Sequence, residues 1–194
     1  PLIVSVWGSD IYNFPDHSFI HRTLIRFNLS KADKILSTSN TMKKETNKYT
    51  NKNVIVTPFG IDVNKFYPQK VKSLFEPNDL VIGTIKTLEK KYGIEFLIKA
   101  FRILKEKYRE DSLKLLIVGS GSQEQYLKKM VNAFGIQNST VFSGYISNDF
   151  VQNYHNMIDI YVAASTEDSE SFGVAILEAS SCSKPVVVSN VGGL

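Results

Sequence analysis

The stretch "LKLLIVGSGSQEQYLKKMVNAFG", Leu113–Gly135, decides the fold. Its opening, "LKLLIVG", is a short apolar run of the kind found in strands buried on both faces. The run ends at Gly119-Ser120-Gly121, and "SQEQYLKKMVNAFG" then has helical spacing closed by Gly135. Strand, glycine turn and helix together make one βα step, and the step repeats in both directions. Upstream, "LVIGTI" is a second apolar run, followed by "GIEFLIKAFRILKEKY" with Ile94, Leu97, Ile98, Phe101 and Leu104 on one helical stripe. Downstream come a strand, "TVFSGY", and a short helix, "NDFVQNYHNM", which Asn148 is expected to cap. A strand, "IDIYVAAS", a helix, "FGVAILEASSCS", and a last strand, "PVVVSN", follow. Such alternation predicts a parallel, doubly wound α/β sheet with right-handed crossovers. Ligands of such sheets sit at the carboxyl ends of the strands, where helix N-termini point.

The first sixty residues read as the end of a separate α/β unit. "PLIVSVWG", "ADKILSTS" and "NVIVTPFG" are strands, with helices in "HSFIHRTLIRFNLSK" and "NTMKKETNKY" between them. Residues 61–79 carry Pro68 and Pro77 without strong periodicity and form the expected connection. The second unit then runs over residues 80–194.

The 194 residues are 43% hydrophobic and 22% charged, an ordinary globular composition with a net charge of +4. A basic balance suits anionic ligands, but no zinc-finger, helix-turn-helix or RNA-binding signature accompanies it, so nucleic acid is not the expected partner. The single Cys182 excludes an internal disulfide and reads as a small apolar core residue. His17, His21 and His155 lack metal-ligand spacing, so no metal is expected. No apolar stretch approaches the roughly 20 residues of a membrane span. The chain opens on Pro1 and stops at Leu194 directly after a glycine pair, so a fragment of a longer protein is expected.

The turn "VGSGSQE" has the place of a dinucleotide fingerprint, but Glu124 occupies the third glycine position. A tight turn at Gly119 and Gly121 beside a ligand fits better than nicotinamide binding. In "EDSESFGVAILEAS", Glu167–Ser180, an acidic loop precedes a helix that begins near Phe172-Gly173. The amides of Phe172, Gly173 and Val174 are expected as first-turn donors that attract an anion such as phosphate. Glu170 stands before that helix, where it can accept from hydroxyls. Glu178 lies within the apolar residues Val174–Ala179 and must find donors there or lose several kcal/mol to desolvation, roughly. The plainer alternative makes Glu170 a helix-start acid and Glu178 a solvent-facing one.

Taken in order, "VSVWGSDI", "PFGIDVNKFYP", "LKLLIVGSGSQEQYL", "VFSGYIS", "EDSESFGVAILEAS" and "KPVVVSNVGGL" resemble the retaining glycosyltransferases of GT-B fold with the E-x7-E signature, the glycosyltransferase family 4-like "glycosyl transferases group 1". The likeness covers essentially the whole chain. It implies two Rossmann-like doubly wound domains, both incomplete here: residues 1–60 from the acceptor-side domain and 80–194 from the donor-binding domain. It implies that Glu170 contacts the transferred sugar, with Phe172, Gly173 and Ser165 near the donor. Glu178 would hold the ribose hydroxyls, and Tyr145 and Ile146 would flank the base. The family's usual arginine and lysine fall on Thr87 and Tyr92, so Lys86 and Lys91, shifted by one place, are the expected diphosphate clamp, with Lys90 as substitute. Trp7 stands where many relatives carry histidine, leaving Gly8 and Asp10 as secondary candidates.

The implied activity is transfer of a sugar from a nucleotide-diphosphate sugar to a glycan or lipid-linked acceptor, with retention and without a cofactor or metal. The implied setting is polysaccharide biosynthesis in the bacterial cytoplasm, with peripheral contact at the inner face of the membrane. The chain by itself is expected to lack turnover. Two other readings share the architecture: a two-Rossmann nucleotide-sugar epimerase and a non-catalytic GT-B-like binding domain.

Overall fold

The computed structural model describes residues 1–108 and 111–194. The chain forms two compact units. The first comprises residues 1–60 together with 167–174 and 190–194; the second comprises 61–166 and 175–189.

In the first unit, β1 (Ile3–Val6), β2 (Lys34–Ser37) and β3 (Val54–Val56) form a parallel sheet in that order. Between the strands run α1 (Ser9–Tyr12), α2 (Phe19–Lys31) and α3 (Asn40–Thr46). The α1 turn has no periodic signal in the sequence. Ser18 and Ser39 cap α2 and α3, their hydroxyls accepting from the amides of His21 and Met42. Val6, Ile11, Leu29, Ile35, Met42 and Val54 make the core.

The second unit carries β4 (Leu80–Ile85), α4 (Ile94–Tyr108), β5 (Leu113–Val118), α5 (Glu124–Ala133), β6 (Thr140–Gly144), α6 (Val151–Met157), β7 (Ile160–Ala163), α7 (Val174–Ser181) and β8 (Val186–Val188). All five strands are parallel in the order β6-β5-β4-β7-β8. The apolar run Leu115–Val118 of β5 has a simple cause. Leu115 and Ile117 face α4 and α5, while Leu116 and Val118 pack with Ile158, Tyr161 and Ala179 on the opposite face. Asp159 ties two strands together, its carboxylate accepting from the Val81 amide at 2.8 Å and its own amide donating to the Val81 carbonyl at 2.8 Å.

The expected closure of α5 by Gly135 holds. Gly135 donates to the Asn132 carbonyl, and Ile136 donates back to Val131, the paired bonds of a Schellman end. The expected cap of α6 does not. Phe150 occupies the capping position without a side-chain bond, because a turn from Ser147 to Phe150 moves the cap two residues past Asn148. At the sheet edge the apolar β8 is exposed, since β7 is its one neighbour. Residues 61–79 have no helix or strand; Phe66 is buried there, and Lys65 donates to the Asn148 carbonyl at 2.7 Å.

Candidate functional site

In the second unit, strand order reverses between β4 and β7, and ligands of doubly wound sheets bind at the carboxyl ends beside such a reversal. Residues 86–93 leave β4 at that point. The ammonium of Lys86 lies 4.4 Å and that of Lys91 5.1 Å from the ring centre of Tyr92. The ring attracts both cations, so the two lysines share one aromatic partner despite their spacing in sequence. Lys90 turns elsewhere: with Glu89, Glu95, Gln123 and Tyr126 it lines a cavity of about 360 Å³.

This lysine loop is held from below. Lys86 donates to the Val118 carbonyl and Leu88 to the Ser120 carbonyl, both at 2.9 Å. A Cβ on Gly119 would stand 2.1 Å from the Lys86 carbonyl oxygen, and one on Gly121 2.5 Å from that of Leu88. These positions must therefore be glycine because the lysine loop rests directly on them. Glu89 spans the same contact, accepting from the Ser122 hydroxyl at 2.6 Å and its amide at 2.8 Å. Those two bonds, with the Lys91 charge assisting, hold the Glu89 carboxyl below its ordinary range. From the side, Thr166 donates to the Lys91 carbonyl through its amide and its hydroxyl.

Other expected donor-side residues line the same edge. Gly144, the last residue of β6, accepts from the Gly119 amide at 2.9 Å, which sets Tyr145 and Ile146 beside the glycine turn. Tyr145 is 77% exposed, whereas Ile146 packs on the core. Ser165 is buried, and its carbonyl accepts from the Ser189 hydroxyl at 2.6 Å. Glu178 is not solvent-facing: Oε2 lies 3.1 Å from Nε2 of the fully buried His155.

In the first unit, the loop 167–174 packs among the residues around β1. Glu170 is half-buried, and its carbonyl accepts from the Gly193 amide at 2.9 Å. Asp168 accepts from the Gly192 amide at 2.9 Å. A Cβ on Gly193 would meet the Ser171 carbonyl oxygen at 2.0 Å, so the double glycine is the surface on which this loop is shaped. Ser171 donates through its hydroxyl to the Trp7 carbonyl, and a Cβ on Gly8 would reach the Ser169 carbonyl oxygen at 2.8 Å. Asp10 accepts from the amides of Gly8 and Trp7, which commits its carboxylate to this turn. Trp7 is 61% exposed and not core; its ring meets Phe59 edge-on, and Phe59 meets Phe172 likewise. Gly173 is buried, and the regular helix starts at Val174, later than the expected start near Phe172-Gly173.

Two residues with a place in the site were not singled out from the sequence. Tyr92 was visible only as a departure from a lysine position. His155 lacks metal-ligand spacing, yet it follows Tyr154 and stands one turn before Ile158, both of which pack on the core. A histidine at that place must find a buried partner. Among the described residues, no group of three or more His, Cys, Asp or Glu side chains is arranged to hold a metal ion.

The sequence profile described as "Glycosyl transferases group 1" matches residues 65–194, and that of "Glycosyl transferase 4-like" matches residues 1–39. An uncharacterized glycosyltransferase of Methanocaldococcus jannaschii is 32% identical over 143 residues, covering 72% of this chain and 35% of the relative. Mannosylfructose-phosphate synthase of Agrobacterium fabrum is 29% identical over 155 residues, covering 74% and 34% respectively. The chain thus spans about a third of the length of these curated relatives. Among solved structures, Anabaena HepE in complex with UDP-glucose superposes with a TM-score of 0.79 at 21% identity, over 100% of this chain and 54% of that one.

Proposed function

The chain belongs to the glycosyl transferases group 1 family, and from that premise we propose that its protein transfers a sugar from a nucleotide-diphosphate sugar to a glycan or lipid-linked glycan acceptor, with retention of configuration. The observation that carries this reading is the gathering of Lys86 and Lys91 on the Tyr92 ring, at the carboxyl edge beside the strand-order reversal. When the bond from the anomeric carbon to the diphosphate breaks, negative charge builds on the leaving phosphate oxygen. In this reading the two ammonium groups beside the Tyr92 ring stabilise that charge as it forms, without a metal or other cofactor. In this reading Glu170 positions the transferred sugar through its hydroxyls, with Phe172, Gly173 and Val174 beside it. Glu178 accepts from the ribose, and Tyr145 and Ile146 flank the base.

The reading extends to a hexosyl donor and to polysaccharide biosynthesis in a bacterial cytoplasm. A lipid-linked acceptor would bring the protein to the inner face of the membrane; no described helix is long and apolar enough to cross one.

Thermal unfolding of the protein with UDP-glucose, GDP-mannose or ADP-glucose tests the reading, because a bound ligand stabilises the folded state in proportion to ln(1 + [L]/Kd). At least one donor should raise the midpoint, and the double variant Lys86→Met/Lys91→Met should abolish the rise. No stabilisation by any donor would overturn nucleotide-sugar binding. Release of free nucleoside diphosphate only when an acceptor is present separates transfer from epimerisation.

A further inference from the structure

Glu178 and His155 form a pair across the second unit: α7 supplies the carboxylate and α6 the imidazole, with Oε2 and Nε2 3.1 Å apart. His155 is completely buried, while the Glu178 side chain keeps 15% of its surface exposed. The imidazole is walled by aromatic rings, with Phe66 edge-on at 5.8 Å and Tyr161 tilted at 5.5 Å. Its other nitrogen, Nδ1, is buried without a hydrogen-bond partner among the described residues.

A bare lone pair on Nε2 facing a carboxylate oxygen would be repulsive, so Nε2 carries a proton and donates it to Oε2 of Glu178. The ring cannot turn to a second acceptor without losing its packing. It therefore acts as a fixed donor that anchors one oxygen of a partly exposed carboxylate.

We propose that His155 is a positioning residue: its Nε2–H holds Oε2 of Glu178 so that Oε1 is presented to the 2′- and 3′-hydroxyls of the donor's ribose. This rests on the reading of Glu178 as the ribose contact. The nucleotide's sugar is then recognised by a dyad rather than by one carboxylate, and discrimination of ribose from 2′-deoxyribose depends on a residue that never touches the ligand.

The test is calorimetric titration of the protein with UDP, GDP and ADP and with their 2′-deoxy counterparts. The parent protein should prefer the ribonucleotide of the base that it binds. Glu178→Ala and His155→Phe should each reduce that preference by about fivefold, the worth of one hydrogen bond. His155→Phe keeps a ring between Phe66 and Tyr161 and removes only the donor; His155→Gln, whose amide nitrogen can stand near Nε2, should restore the preference. A lower melting temperature for His155→Phe with an unchanged preference would mean a packing role alone and overturn the proposal.

The outcomes also separate the two readings. If Glu178→Ala leaves the preference intact, or if no diphosphate binds, the ribose assignment fails and the role of His155 fails with it. If Glu178→Ala removes the preference and His155→Phe does not, only the His155 proposal fails. Imidazole nitrogen shifts in the parent protein give an answer independent of any variant's folding: a protonated Nε2 supports the proposal, and an unprotonated Nε2 overturns it.

Discussion

The carbonyl of Lys91 accepts two hydrogen bonds from Thr166, one from the amide at 2.8 Å and one from the hydroxyl at 3.1 Å. This double bond fastens the loop after β4 to the segment after β7, at the reversal of strand order. It determines where the Lys91 backbone stands before any ligand arrives. Thr166→Val keeps the shape and the amide bond but deletes the hydroxyl bond. The loss of one exposed hydrogen bond should lower stability by up to about 0.5–1.5 kcal/mol, and nucleoside diphosphate binding should weaken by no more than about tenfold. Titration of the variant beside the parent checks this.

The two lysines differ from Lys90 in a way that substitution can read. Lys86 and Lys91 share the Tyr92 ring, whereas Lys90 lines the cavity beside Glu89 and Glu95. Lys86→Met and Lys91→Met should each lower diphosphate affinity by about tenfold or more, as expected for a charge-assisted contact. Lys90→Met should stay within about twofold of the parent, because an isolated exposed charge contributes little. Tyr92→Leu should fall between them, since a cation–π contact contributes about 0.5–1 kcal/mol at exposed sites. The affinity of the parent should also decline with added salt more steeply than that of either single-lysine variant.

The strands and long helices were legible because burial imposes a period. β5 reads as apolar from Leu115 to Val118 since both its faces are covered there, and α4 shows a stripe since one face is. The contacts that shape the site leave no such trace. Lys91 and Thr166 are 75 residues apart, and His155 and Glu178 are 23 apart. Neither pair has a period, so each residue alone reads as a loop polar group or a helix polar group. Glu178 was noticed because a carboxylate in an apolar run requires a donor; the donor's identity came only from the packing of α6 against α7. Trp7 shows the same limit: hydrophobicity alone does not place it, but the strand ends at Val6 and the turn that Asp10 holds leaves the indole exposed.

Gly193 gives a test of the loop that carries Glu170. Its amide donates to the Glu170 carbonyl, and an added Cβ would fall 2.0 Å from the Ser171 carbonyl oxygen and 3.2 Å from the Ser39 hydroxyl. The first of these atoms is backbone and cannot rotate away, so Gly193→Ala must displace residues 170–171. The expected loss is about 1–3 kcal/mol of stability, as for other overpacked sites. Sugar transfer should fall more than nucleoside diphosphate binding, because the displaced residue is assigned to the sugar and not to the diphosphate. Melting temperature, Kd and turnover, measured together in the full-length protein, separate these effects; equal loss in binding and turnover would sink the assignment.

Cys182 supplies a pH-dependent prediction. The thiol is 1% exposed, and burial raises its pKa above the ordinary thiol value, opposed by Lys184, reinforced by Glu178 and opposed again by Asn156. The folded protein therefore holds this proton more tightly than the unfolded chain. Its contribution to stability is complete below the ordinary thiol pKa and is lost as pH rises from there through the raised folded value. Cys182→Ala should accordingly flatten the stability decline on the alkaline side while costing a small cavity penalty at neutral pH. Burial and a scarce thiolate also predict alkylation by iodoacetamide at pH 8 that is at least about tenfold slower in native protein than in urea-unfolded protein. Equal rates in the two states would show that the segment after α7 opens readily, and the packing of Cys182 would then have to be abandoned as an anchor for the helix that carries Glu178.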